Sequence, residues 1–96
     1  MKIALLHLDV AEGPETRNRK SIISAAGEAV SRGADWIVTP ETALQGYFFH
    51  DNNGKLPSFS EKQLSRYLLF AGRNKADMFL SAAEYDERDG KGYNSC

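Results

Sequence analysis

The sequence has 96 residues, which limits it to a single domain with a small core. Its 12 basic and 13 acidic residues nearly cancel and form no basic stripe, which argues against a nucleic-acid-binding surface. No apolar run is long enough to span a bilayer. One cysteine, Cys96, excludes an internal disulfide framework. The opening segment is a poor signal peptide, so we expect a cytoplasmic protein.

The first half of the sequence predicts a strand, a helix and a second strand. Residues 2–10 form a nearly continuous apolar run, typical of a strand covered on both faces. A turn at 11–16 leads into a helix that runs to about Arg32 and stops at Gly33, a residue suited to the left-handed conformation. The expected buried face of the helix repeats at three- and four-residue spacing and consists of Asn18, Ile22, Ala25, Ala26, Ala29 and Val30.

A second strand is predicted at 34–39, ended by Pro40, which offers no donor to a strand ladder. Because two strands joined through a helix form a right-handed crossover, we expect these strands to be parallel.

The second half begins with an irregular stretch at 41–57. A helix is expected to start near Ser58 or Ser60, each of which begins a capping-box pattern. Its expected apolar face comprises Leu64, Leu68 and Ala71. Residues 76–85 predict a third strand, 86–92 a polar hairpin loop, and 93–96 an incomplete fourth strand.

Glu41 is the residue that this pattern nominates as functional. In open parallel sheets, ligands bind beyond the carboxyl ends of the strands, and Glu41 lies immediately after the second strand. Beside the aromatic residues Tyr47, Phe48 and Phe49, its carboxylate would be partly desolvated and suited to act as a general base. A surface glutamate at a strand end is the alternative reading, and the residue pattern alone does not exclude it.

A longer motif around this glutamate resembles the glutamate motif of the nitrilase superfamily. In that family an apolar strand ends in Pro-Glu, and Gly-Tyr or Gly-Phe follows a few residues later. Other parts of the chain also look familial: residues 2–6, Asn18, Gly33-Ala34-Asp35 and Tyr93-Asn94-Ser95. The motif itself reads Thr39, Pro40, Glu41, Thr42, Ala43, Leu44, Gln45, Gly46, Tyr47.

The resemblance implies an α/β fold, the N-terminal part of an α-β-β-α sandwich, with residues 1–96 forming a partial carbon–nitrogen hydrolase domain. It also implies a hydrolase of non-peptide carbon–nitrogen bonds that needs no cofactor or metal. A cysteine attacks an amide, nitrile or carbamoyl carbon, a glutamate acts as general base, and a lysine stabilises the oxyanion. Among these roles the motif carries over only the glutamate, onto Glu41. We therefore expect the chain alone to be inactive, with Tyr47 and Phe48 as candidate substrate-binding residues.

Several other residues have simpler interpretations than catalysis. Cys96, on the fourth strand, is expected to act as a small apolar residue rather than as the nucleophile. His7 is expected to be a hydrogen-bonded core residue. Lysines 55, 75 and 91 are expected to be solvated surface charges. Two histidines and one cysteine, widely scattered, do not predict a metal site.

Three alternatives remain beside the hydrolase. One is a non-catalytic α/β binding module, and another is a remnant that acts only through a partner chain. Acyl transfer is a third, ranked lower because no membrane span precedes the motif. For the hydrolase we expect a small-molecule amide, nitrile or carbamoyl substrate, no nucleic-acid or membrane partner, and a homo-oligomer.

Overall fold

The structure, a computed structural model, describes residues 1–11, 15–46 and 61–96. Three strands form a parallel sheet in the order β1-β2-β3, and two further strands form an antiparallel hairpin. The protein is thus of mixed α/β class. In chain order the elements are β1 (Ile3–Leu5), α1 (Glu15–Ser31), β2 (Trp36–Val38), α2 (Glu61–Asn74), β3 (Asp77–Phe79), β4 (Ala82–Asp86) and β5 (Lys91–Ser95).

Helix α1 forms where the sequence predicts it and buries the predicted face. Its buried positions repeat at three- and four-residue spacing, and two of them, Ala26 and Ala29, pack with Ile37 of the parallel sheet. At its end, Gly33 adopts a φ of 86°. The Gly33 N–H donates to Val30 at 2.8 Å and the Ala34 N–H to Ala29 at 3.0 Å, the hydrogen-bond pattern of a Schellman motif. The glycine therefore ends the helix for the reason that the sequence indicates.

The parallel sheet has one covered face and one open face in the described part of the chain. Ala4, Ile37 and Met78 are in register across β1, β2 and β3 and pack toward α1. On the opposite face Leu5 is 67% exposed, and Phe79 is 38% exposed. The expectation that the first strand is covered on both faces is thus wrong for the described residues. This strand is also shorter than predicted, with Ile3–Leu5 in place of 2–10.

The predicted apolar face of α2 is not the face that the helix buries, although Ala71 on it is partly buried. Leu68 is 72% exposed and Leu64 39% exposed, whereas Tyr67 is 1% exposed and packs in the core. Tyr67 shares a core cluster with Ile22 of α1 and with Ala43 and Leu44 of the turn after β2. The predicted start of this helix at Ser58 or Ser60 lies outside the described residues.

The predicted third strand, 76–85, is two strands in two different sheets. β3 pairs with β2, β4 pairs with β5, and Ser81 lies between β3 and β4. The backbone and side chain of Ser81 bond instead to the segment after β2, so the β2 ladder does not continue through it. The predicted incomplete fourth strand is β5, which pairs with β4 along all five of its residues.

The hairpin between β4 and β5 turns through residues 87–90. Gly90, with a φ of 69°, closes the turn, and its N–H donates to Asp86 at 2.8 Å. Among the described residues, neither α1 nor α2 has the length and apolarity that a membrane crossing requires.

Candidate functional site

Glu41 begins a tight turn at the carboxyl end of β2, the central strand of the parallel sheet. Thr42 has a φ of 48° and Gly46 a φ of 69°. The Gly46 N–H donates to the Thr42 carbonyl at 2.7 Å and closes the turn. A positive φ at a β-branched residue is strained, at a cost of about 1–3 kcal/mol. The surrounding contacts must therefore hold this turn in place.

Helix α1 holds the turn from one side through Asn18. This side chain is 2% exposed and lies under the turn. Its Nδ2 donates to the carbonyls of Ala11 at 2.8 Å and of Leu44 at 3.3 Å, and its Oδ1 accepts from the Ala11 N–H at 2.9 Å. One buried amide thus joins the chain after β1, the first helix and the turn that follows β2.

Ser81 holds the turn from the opposite side. Its Oγ accepts from the Thr42 N–H at 3.0 Å, and its carbonyl accepts from the Leu44 N–H at 3.4 Å. Its own N–H donates at 3.0 Å to Thr39 Oγ1, which in turn donates to the Phe79 carbonyl at 3.1 Å. Ser81 therefore bonds the turn at two points and Thr39, just before the turn, at a third.

Gln45 connects the turn to the β4–β5 hairpin. This side chain is 4% exposed. Its Nε2 donates to the Ala83 carbonyl at 2.8 Å, and its Oε1 accepts from the Ala83 N–H at 2.9 Å. The pair of bonds imitates one step of a strand ladder, so the turn and the hairpin are held in a fixed relation.

Glu41 itself is exposed, and its carboxylate meets the hairpin. Asn94, on β5, donates from its Nδ2 to Glu41 Oε1, and its Oδ1 accepts from Ser81 Oγ at 3.2 Å. An exposed carboxylate that is oriented by a hydrogen-bond donor can still accept a proton from a group placed beside it. The expected desolvation by aromatic neighbours involves residues 47–49, which lie outside the described residues.

Other residues singled out in the sequence fall in three places. The candidate substrate-binding residues Tyr47 and Phe48 lie outside the described residues, as does Lys55. Lys75 and Lys91 are exposed, as expected. His7 is exposed and lies beyond the end of β1, so its expected core role is wrong.

Cys96 differs from its expected place as an apolar strand residue. It follows the last residue of β5, is exposed, and carries a free thiol. Within the described ranges, no three histidine, cysteine, aspartate or glutamate side chains come close enough to hold a metal ion together.

Three residues at the site were not recognised from the sequence: Ser81, Gln45 and Asn94. Gln45 and Asn94 belong to the segments that resemble the nitrilase superfamily, but the resemblance does not indicate which residues their side chains contact. Ser81 falls inside a predicted strand. Ser81 is a polar residue between the apolar run before it and the two alanines after it. This is the local sign in the sequence that the strand is interrupted there.

Comparison with known proteins finds a likeness over part of this chain. No known family profile matches the chain. A segment of 45 residues is 47% identical to a glutamine-dependent NAD(+) synthetase from Synechocystis sp., a superfamily member, in the N-terminal region of that protein. The match covers 47% of this chain and 8% of the synthetase. The chain thus corresponds to a small fraction of the relative's length.

Proposed function

We propose that this chain is the N-terminal segment of a carbon–nitrogen hydrolase of the nitrilase superfamily, in which Glu41 is the general base. The observation that carries the proposal is the position of Glu41. It begins a strained turn at the carboxyl end of the central parallel strand, and that turn is bonded to α1, to Ser81 and to the hairpin. A rigidly held carboxylate at this edge of a parallel sheet is suited to proton transfer.

Two further observations support the proposal. The match to a glutamine-dependent synthetase favours the side-chain amide of glutamine as the first substrate to test. Small amides, nitriles and carbamoyl compounds follow. The open apolar face of the parallel sheet, with Leu5 and Phe79 exposed, suits the second sheet of an α-β-β-α sandwich.

In the proposed mechanism Glu41 moves protons in both halves of the reaction. It takes the thiol proton of a cysteine, whose sulfur then attacks the amide carbon. The carbon–nitrogen bond breaks, and Glu41 passes this proton to the departing nitrogen, which leaves as ammonia. Glu41 next takes a proton from water, whose oxygen attacks the thioester and releases the acid and the thiol. A lysine stabilises the oxyanion in both steps. The motif assigns neither the lysine nor the cysteine to a residue of this chain.

The first experiment is the intact mass of the protein purified from its native source, compared with 10.7 kDa for this chain. Ammonia release from glutamine, small amides, nitriles and carbamoyl compounds is then measured on the protein at its native length. We expect hydrolysis of at least one class and a loss of at least about 1000-fold in kcat for Glu41→Gln, which keeps the shape and removes the base.

The matched control is Glu28→Gln, an exposed glutamate on α1 that pairs with Arg32 away from the turn. It should leave kcat unchanged. Near-normal activity of Glu41→Gln would contradict the assignment of Glu41. Alkylation of Cys96 should leave an active preparation active, and loss of activity on its modification would identify Cys96 as the nucleophile instead.

The main alternative is a non-catalytic chain that acts through a partner. The exposed face of the parallel sheet is compatible with both functions. The two differ in whether the protein is expected to hydrolyse a substrate. A native mass matching this chain, together with no hydrolysis of any substrate class, would favour that alternative. We also propose a homo-oligomeric protein, which light scattering at native length would test.

A further inference from the structure

We infer that Asn94 is the positioning residue that fixes the orientation of the Glu41 carboxylate. The inference rests on the proposed function, because it assigns a task to a residue beside the proposed base. It comes from a chain of hydrogen bonds that runs from Thr42 through Ser81 and Asn94 to Glu41.

The direction of this chain is determined by its two ends. The Glu41 carboxylate can only accept, so the amide nitrogen of Asn94 faces Glu41 and its Oδ1 faces Ser81. The Thr42 N–H can only donate, so Ser81 Oγ accepts there at 3.0 Å and donates its own hydrogen to Asn94 Oδ1 at 3.2 Å. A flipped amide would place an oxygen beside the carboxylate.

The two ends of the chain are adjacent residues, so Asn94 and Ser81 form a closed loop with Glu41 and Thr42. Glu41 is exposed, and an unrestrained glutamate side chain would sample several rotamers. The Asn94 donor selects the rotamer in which Oε1 is held against β5. The other oxygen, Oε2, then has a defined direction in which to receive a proton from substrate or nucleophile.

The position requires a side chain with both a donor and an acceptor. Aspartate at 94 would place a second negative charge against Glu41 and remove the donor. Alanine would remove both bonds and, with them, this restraint on the carboxylate. Ser81 donates a hydrogen bond to Asn94 Oδ1, so Ser81→Ala should weaken the same restraint with a smaller effect.

The test combines steady-state kinetics with NMR on the protein at its native length. We expect Asn94→Ala to lower kcat about tenfold to hundredfold with KM changed less than about twofold, because the loss is one of orientation. Asn94→Asp should lower kcat further, and Ser81→Ala less. The control Asn74→Ala removes another exposed amide, which donates to the Phe70 carbonyl on α2, and should leave both constants unchanged.

The spectroscopic arm does not depend on activity. The side-chain amide resonances of Asn94, assigned by their absence in Asn94→Ala, should shift in Glu41→Gln and in Ser81→Ala and stay in place in Glu28→Gln. Unchanged resonances in Glu41→Gln would overturn the contact. Full kcat in Asn94→Ala, with Glu41→Gln inactive, would overturn the positioning role and leave the proposed function standing. An active Glu41→Gln would overturn the proposed function, and the resonance shifts would still decide whether the contact exists.

Discussion

Asn18 on the first helix donates from its Nδ2 to the carbonyl of Leu44 at 3.3 Å, in the turn that begins with Glu41. The same amide also bonds both polar groups of the Ala11 backbone. A helix residue thus sets the position of a turn 26 residues further along the chain. The geometry of the proposed site depends on this buried amide as much as on the strand that leads into the turn.

The first prediction concerns Asn18→Ala. The change leaves the Ala11 N–H and the Leu44 carbonyl without their partner, so we expect a loss of about 2–3 kcal/mol in the free energy of unfolding. Urea unfolding measures it. Asn74→Ala, an exposed amide on α2, is the control and should change stability by less than about 0.5 kcal/mol. Equal effects of the two changes would contradict the role of Asn18.

The second prediction contrasts two buried threonines, Thr42 in the turn and Thr39 just before it. Thr42 Oγ1 is buried and has no hydrogen-bond partner among the described residues, whereas Thr39 Oγ1 bonds Phe79 and Ser81. Valine has the same shape as threonine and lacks the hydroxyl. Thr42→Val should therefore stabilise the fold by about 1 kcal/mol, and Thr39→Val should destabilise it by about 1–3 kcal/mol. Denaturant unfolding of both variants measures the signs, and a loss of stability in Thr42→Val would show that its hydroxyl has a partner.

The third prediction concerns stability at high pH. Burial of Tyr67, with the negative charge of Glu15 beside it, raises the pKa of its hydroxyl well above the ordinary value of 10.0. Above pH 10 the unfolded chain therefore loses this proton while the folded chain keeps it. Stability should fall as pH rises from that point, by at most about 1.4 kcal/mol per pH unit from this group.

Unfolding by urea at pH 8 and pH 11 measures this fall. Tyr67→Phe should reduce the difference between the two pH values, because it removes the titrating hydroxyl. Tyr93→Phe is the comparison: the hydrogen bond to Asp89 raises the pKa of the exposed Tyr93, and its removal should change the difference less. A Tyr67→Phe variant with an unaltered fall would contradict the prediction.

The fourth prediction compares two glycines of the first helix and its end. A Cβ at Gly27 would meet no atom within 4 Å, so Gly27→Ala should stabilise the protein by about 0.5–1 kcal/mol through helix propensity. Gly33 has a φ of 86°, and Gly33→Ala should cost about 1 kcal/mol because an L side chain is strained there. Thermal unfolding should move the two melting temperatures in opposite directions. A shift in the same direction would show that the Schellman geometry does not depend on glycine.

Much of the first βαβ unit could be predicted from the sequence. The repeat of Ile22, Ala26 and Ala29 at helical spacing identifies the face that α1 buries, and Gly33 marks its end. These features depend on neighbours within a turn or two, where local geometry decides the outcome. The position of Glu41 after the second strand was predicted for the same reason.

The second half of the chain shows where local patterns are insufficient. Leu64 and Leu68 share an apolar stripe at helical spacing, but Tyr67 is the residue that enters the core with Ile22, Ala43 and Leu44. Its hydroxyl donates to Glu15 on α1, a contact that the pattern within α2 does not report. The run at 76–85 has the composition of one strand, and Ser81 interrupts it since its polar groups bond residues about 40 positions earlier.

Local sequence patterns were sufficient for the mixed α/β class, the extent of α1, the parallel pairing of its flanking strands, and Glu41 as the candidate base. Only folding brings Asn94, Ser81 and Asn18 against that glutamate's turn and joins Gln45, within the turn, to the hairpin. Periodicity reports contacts within one element, whereas these bonds join residues 26 to 53 positions apart, and only the folded chain brings their donors and acceptors within reach.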